Sequence, residues 1–197
     1  MNDEELAKLQ EQIDITVDEL KNKIKELNSL RDQSHIKDKL IHFAREREQH
    51  VDVMKTVYPG LKRPMNEYEI AITGLLYLFF DENYADIDLK NVKINRMETL
   101  AKITPKIRTY DYVLERIEEP RIELIEQQMK VCDELLKTSK FYHPHMKAVH
   151  EWAKSALICH QYKKDEVDPF EVHQKHLIQE IEEGEAKLNK LRAELPK

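Results

Sequence analysis

The sequence predicts an all-α protein: a small helical bundle carried on an antiparallel coiled-coil hairpin. Three observations predict it. Apolar residues near both ends of the chain recur at spacings of three and four. Glycine is scarce, 3 in 197 residues, while charged residues make up 36% and hydrophobic residues 41%. That is the profile of a long-helix protein dominated by Glu, Lys, Leu and Ile. No alternating apolar and polar run of strand length occurs.

The first arm, residues 1–58, opens with Leu6, Leu9, Ile13, Val17, Leu20, Ile24 and Leu27 at three-and-four spacing, with charged and amide residues between them. About three and a half heptads of this kind predict a coiled coil. The register slips near Asn28–Ser34. A second seam follows through Ile36, Leu40, Phe43, Val51, Met54 and Val57, with Arg47 and His50 as polar interruptions. Tyr58-Pro59-Gly60 ends it, because Pro and Gly together stop a helix.

The head, residues 59–168, reads as several short helices. Pro64 opens one whose body is the apolar run Ile70–Phe80, 11 residues long. A compact helical head needs one helix buried nearly all round, and this run is the candidate. Asp86–Lys93 is a polar connection. Thr104 caps a helix with Pro105 at its first position, where a missing N–H costs nothing. Its apolar positions are Ile107, Tyr110, Val113, Leu114 and Ile117. The next helix carries Ile122, Leu124, Ile125, Met129, Cys132 and Leu136, and the last Met146, Val149, Ala153, Ala156, Leu157 and His160.

The second arm, residues 169–197, follows Pro169 with Leu177, Ile181, Leu188, Leu191 and Leu195, Gly184 being a weak position. Such a stripe cannot bury itself on one helix. The first arm provides a partner within the same chain.

A net charge of −6 gives no broad phosphate-neutralising surface, so nucleic acid is not the expected partner. The apolar run is well short of the roughly 20 residues that span a bilayer, so no membrane role is expected. Cys132 and Cys159 match no metal or redox spacing, which points to a reduced, intracellular setting. The acidic start MNDEELAKLQ does not read as a secretory signal. His143, His145, His150 and His160 lack ligand spacing, so no metal is expected; they read as partly exposed helix-surface histidines. Trp152 and the tyrosines read as core and rim packing. There is no nucleophile–base constellation, glycine phosphate loop or paired-carboxylate pocket, so neither enzyme activity nor a cofactor is expected.

A helical insert between two heptad arms resembles the stalk and microtubule-binding domain of dynein heavy chains. MKTVYPGLKRPMNEYEIAITGLLYLF is similar to the basic, proline-marked entry to that family's first head helix, with Tyr68, Ala71, Gly74, Leu75, Leu78 and Phe79 on its apolar face. FYHPHMKAVHEWAKSALICHQY is similar to the last head helix, with Phe141, Pro144, Ala153 and Leu157 in register. VDPFEVHQKHL resembles the opening of the returning stalk helix.

The resemblance implies a non-catalytic microtubule-binding tip whose affinity for tubulin changes as one stalk helix slides on the other. It implies a cytoplasmic, cytoskeletal location, with the cilium or axoneme included. Basic side chains would meet tubulin's acidic track. Local positive charge nominates Lys90, Lys93, Arg96, Lys102, Lys106 and Arg108, which surround the single acid Glu98, together with Lys62, Arg63, Lys147 and Lys154. A solvated helix face is the structural alternative for the same charges. The functional alternative is a coiled-coil scaffold or adaptor that joins other helical proteins.

Overall fold

The structure is a computed structural model. It describes residues 3–33, 35–50, 64–80, 83–90, 92 and 119–196. Among the described residues every regular element is helical and there is no strand, so the protein is all-α. The helices are α1 (Asp3–Arg31), α2 (His35–Glu48), α3 (Glu67–Phe80), α4 (Glu119–Thr138), α5 (Pro144–Tyr162) and α6 (Asp168–Ala193). The chain divides into two compact units, Met1–Lys39 with Lys163–Lys197, and Leu40–Tyr162.

In the first unit α1 packs along α6. Asp3, Glu4 and Glu5 occupy the first turn of α1 and Arg31 its last, which suits the helix dipole at both ends. Leu9, Ile13, Leu20 and Leu188 form the buried seam, with Val17, Ile181, Leu191 and Leu195 partly buried against it. The helices are antiparallel: Lys23 Nζ lies 3.2 Å from Glu180 Oε1 and Glu26 Oε1 3.0 Å from His173 Nε2, and beyond the end of α1 Lys37 Nζ of α2 lies 2.9 Å from Glu171 Oε1. Exposed pairs of this kind contribute up to about 1 kcal/mol each, so burial of the seam, not charge, supplies most of the stability.

The seam is narrower than the heptad reading. Leu6 and Ile24 are exposed on its flank, while Thr16 is buried in it. Thr16 tolerates burial because its hydroxyl donates to Gln12 O at 2.8 Å.

A π-helical stretch, Lys163–Val167, precedes α6. Pro169 has no N–H to give the preceding turn, and its ring crowds the carbonyl four residues back. A widened turn relieves that clash. Lys163 Nζ bridges it to Asp168 Oδ1 at 2.8 Å, a five-residue spacing, with both side chains mostly buried.

In the second unit the apolar run is the body of α3, and its side chains from Tyr68 to Phe80 are buried except at Ile70 and Tyr77, which are partly exposed. Asn66 and Glu69 form a capping box: Asn66 Oδ1 accepts from Glu69 N at 2.9 Å, and Glu69 Oε1 accepts from Asn66 N at 3.1 Å. At the other end Arg121 Nη1 donates to Phe79 O at 3.0 Å, satisfying a carbonyl that the helix leaves open. The same guanidinium stacks over the Tyr84 ring at 4.1 Å.

α4 and α5 pack against α3. Trp152 is fully buried, stacked on Phe80 at 5.6 Å and edge-on to Phe79 at 5.0 Å. Gln128 is buried and donates to Ala71 O at 3.0 Å, beside Gly74, where a larger residue would crowd Leu89. On α2, Phe43 meets the Tyr162 ring edge-on at 5.4 Å. Arg47, read as a polar interruption, is buried instead. The expected helix after Thr104 and the stop at Tyr58–Gly60 lie outside the described residues.

Candidate interaction site

Helix spacing places the polar groups of the bundle. Cys132 of α4 faces the core, so the next residue, Asp133, stands at its edge and half-exposed. On α5, His150 follows Val149 into the core while Lys154, one turn on, reaches the surface. The result is a chain of polar contacts. Tyr68 Oη lies 3.0 Å from His150 Nδ1, His150 Nε2 lies 3.0 Å from Asp133 Oδ1, and Lys154 Nζ lies 2.9 Å from the same oxygen. The His150–Asp133 contact is off the line of a well-formed hydrogen bond.

Burial holds the His150 imidazole below its ordinary pKa, with Lys154 adding to the effect and Asp133 and Glu151 opposing it. The neutral ring that satisfies both neighbours accepts at Nδ1 from the Tyr68 hydroxyl and carries its proton on Nε2, toward Asp133. Desolvation pushes the Tyr68 phenol well above its usual range and the Cys132 thiol up to about 12. Both stay protonated at neutral pH. With Tyr68 and Cys132 fully buried, this chain of contacts positions α3, α4 and α5 and offers no exposed nucleophile.

At the outer edge of this network α4 and α5 line a cleft of about 420 Å³. Its charged walls are Lys130, Asp133, Glu134, Lys137 and Lys154. Glu134 is engaged by Lys137 at 2.6 Å and Asp133 by Lys154 at 2.9 Å. The hydrogen bond to Glu134 also raises the pKa of the exposed Lys137 ammonium.

Of the basic residues nominated from the sequence, Lys90, Lys147 and Lys154 are described. Lys62, Arg63, Lys93, Arg96, Lys102, Lys106 and Arg108 lie outside the described residues. Lys147 and Lys154 are seven residues apart on α5 and share one face, roughly 10 Å apart along the axis. Lys147 is exposed, and Lys154 is engaged by Asp133. Lys90 is exposed on the connection after the 3-10 turn Tyr84–Asp86, its backbone N–H donating to Asp88 Oδ1 at 3.1 Å.

Sequence reasoning placed the histidines partly on the surface; His150 and His160 are buried. The signal for His150 was its heptad-like spacing from Met146 and Ala153, which sets it on the core face. Glu69 was also missed. It is fully buried, and the Asn66-x-x-Glu69 spacing of a capping box marks it. Phe141, which the resemblance sets at the start of the last head helix, is 82% exposed.

No group of three or more His, Cys, Asp or Glu among the described residues is placed to hold a metal ion. No helix among them is long and apolar enough to cross a membrane. Comparison with known proteins yields no relative: no family model, no curated protein and no solved structure matches the chain.

Proposed function

We propose that this chain is a non-catalytic helical binding module, and specifically a microtubule-binding tip of the dynein stalk type. The observation that carries the reading is the antiparallel packing of α1 on α6, whose sequences flank those of the bundle. The resemblance of Met54–Phe79 and Phe141–Tyr162 to head helices of that family supports the specific form. The ion pairs that join the two helices are exposed or half-exposed and add little each, so they do not hold the register against sliding. Lys147, exposed on α5, offers positive charge toward an acidic track, while Lys154 is held by Asp133.

Co-sedimentation with microtubules tests the reading. Salt-sensitive pelleting, weakened by charge reversal at Lys102, Lys106 and Arg108, is the expected result. Absence of pelleting at low salt contradicts it.

A second reading, a coiled-coil scaffold, is favoured by the exposed Ile24 and Ile178. The antiparallel register sets them at similar heights on one flank of the helix pair, by helical phase of 100° per residue. Self-association that is abolished by Ile24→Lys with Ile178→Lys would favour it.

A further inference from the structure

Residues 137–147, KTSKFYHPHMK, hold three lysines and two histidines and no carboxylate, in a chain of net charge −6. They end α4, form the loop and begin α5. The loop is fixed on both sides of its central residue. Phe141 O accepts from Asn66 Nδ2, and His143 N donates to Glu69 Oε2 at 3.1 Å. Glu69 is itself fully buried and locked in its capping box. Ser139 N closes α4 on Leu135 O at 2.9 Å, and Met146 N starts α5 on His143 O at 2.9 Å.

This anchoring turns two neighbouring aromatics in opposite directions. Tyr142 packs edge-on against Tyr68 at 5.2 Å. Phe141 is left 82% exposed, more than any other large hydrophobic side chain among the described residues. Burying a phenylalanine is worth about 1.5–3 kcal/mol, and here a loop held by a buried carboxylate withholds it from the core. Lys140, its neighbour in sequence, and Lys147, six residues on, are both exposed. Lys137 is engaged by Glu134.

We infer that Phe141, flanked by Lys140 and Lys147, is the anchor of a docking surface for an acidic protein surface with an apolar pocket; resting on the microtubule reading above, that partner is the acidic face of the tubulin lattice. Aromatic anchors dominate interface energetics, and a loop already fixed in place loses little conformational entropy on binding. The lysines steer the encounter with negative charge. An anionic membrane is the competing partner class. It fits less well, because interfacial insertion uses a broad apolar face, whereas one rigid ring matches a shaped pocket.

The test is co-sedimentation of the full chain with stabilised microtubules at low salt, comparing wild type, Phe141→Ala and Lys140→Glu/Lys147→Glu. An exposed ring leaves the fold intact on truncation, and unchanged circular dichroism and Trp152 emission verify that. Phe141→Ala is expected to weaken binding by about tenfold or more, with partial rescue by Phe141→Trp. The double charge reversal is expected to weaken it at low salt, with the effect fading as salt rises. Equal pelleting of wild type and Phe141→Ala overturns this inference and leaves the microtubule reading standing. Failure of wild type to pellet overturns both. Pelleting with vesicles containing phosphatidylserine that depends on Phe141 overturns the protein partner in favour of a membrane.

Discussion

Gly184 of α6 lets Leu20 of α1 approach the bare helix backbone: a Cβ at Gly184 would stand 2.7 Å from Leu20 Cδ2 and 3.2 Å from its Cγ. The glycine that weakens the heptad pattern therefore serves as the socket for a buried leucine of the opposite helix. Two effects compete on substitution. Alanine gains about 1 kcal/mol of helix propensity over glycine, while Leu20 must shift to clear the new methyl. Gly184→Ala is expected to change stability by less than about 1 kcal/mol. Gly184→Leu has no room and is expected to cost about 1–3 kcal/mol. Urea unfolding measures both, and Leu20→Ala should recover part of the Gly184→Leu loss.

Glu69 joins the start of α3 to the α4–α5 loop by accepting from Asn66 N and His143 N with a fully buried side chain. Glu69→Ala leaves both donors short of a partner, at about 1–3 kcal/mol for an unsatisfied buried group. A loss of roughly 2–4 kcal/mol is expected. Amide exchange at His143 should accelerate in the variant more than exchange in the centre of α4.

His150 makes stability depend on pH. Tyr68 of α3, Asp133 of α4, and Glu151 and Lys154 of α5 surround it. Its folded pKa lies below the ordinary value. Above about pH 6.5 the ring is neutral in both folded and unfolded chain and contributes no pH dependence. Below that the unfolded chain takes the proton first, so stability falls with pH until the folded pKa is reached. Each unit between the two pKa values is worth about 1.4 kcal/mol. Unfolding of wild type and His150→Gln at pH 7 and pH 5 measures the effect; wild type should lose more on acidification.

Trp152 fills the centre of the bundle between Phe79 and Phe80. Trp152→Ala is expected to cost about 3–5 kcal/mol, read by thermal unfolding. Because it is the single tryptophan, its emission reports on the unit Leu40–Tyr162 alone. A red shift on unfolding should coincide with loss of helicity in that unit.

Much of the fold was legible because periodicity reports burial directly. Leu9, Ile13, Leu20 and Leu188 recur at helical spacing, and each is buried. The dense run Ile70–Phe80 leaves no polar face, so it could only be a central helix. Leu6 and Ile24 were not separable from the seam by spacing, because a seam's flank and its centre differ by only about 60° of helical phase. The candidate site was less legible. Exposure of Phe141 depends on hydrogen bonds to Asn66 and Glu69, which lie more than 70 residues earlier. Lys147 was placed on the surface by charge alone, whereas the engagement of Lys154 by Asp133 required the packing of α5 on α4.

The central claim is that α1 and α6 of one molecule pair antiparallel, and chemical cross-linking tests it most directly. Lys23→Cys with Glu180→Cys places two partly exposed thiols on facing positions whose Nζ and Oε1 now stand 3.2 Å apart, while Cys132 and Cys159 are buried. A short bis-maleimide at high dilution is expected to give a cross-link within single chains, absent from Lys23→Cys paired with a cysteine at Leu195. Products joined only between chains, or equal cross-linking at both positions, would contradict it.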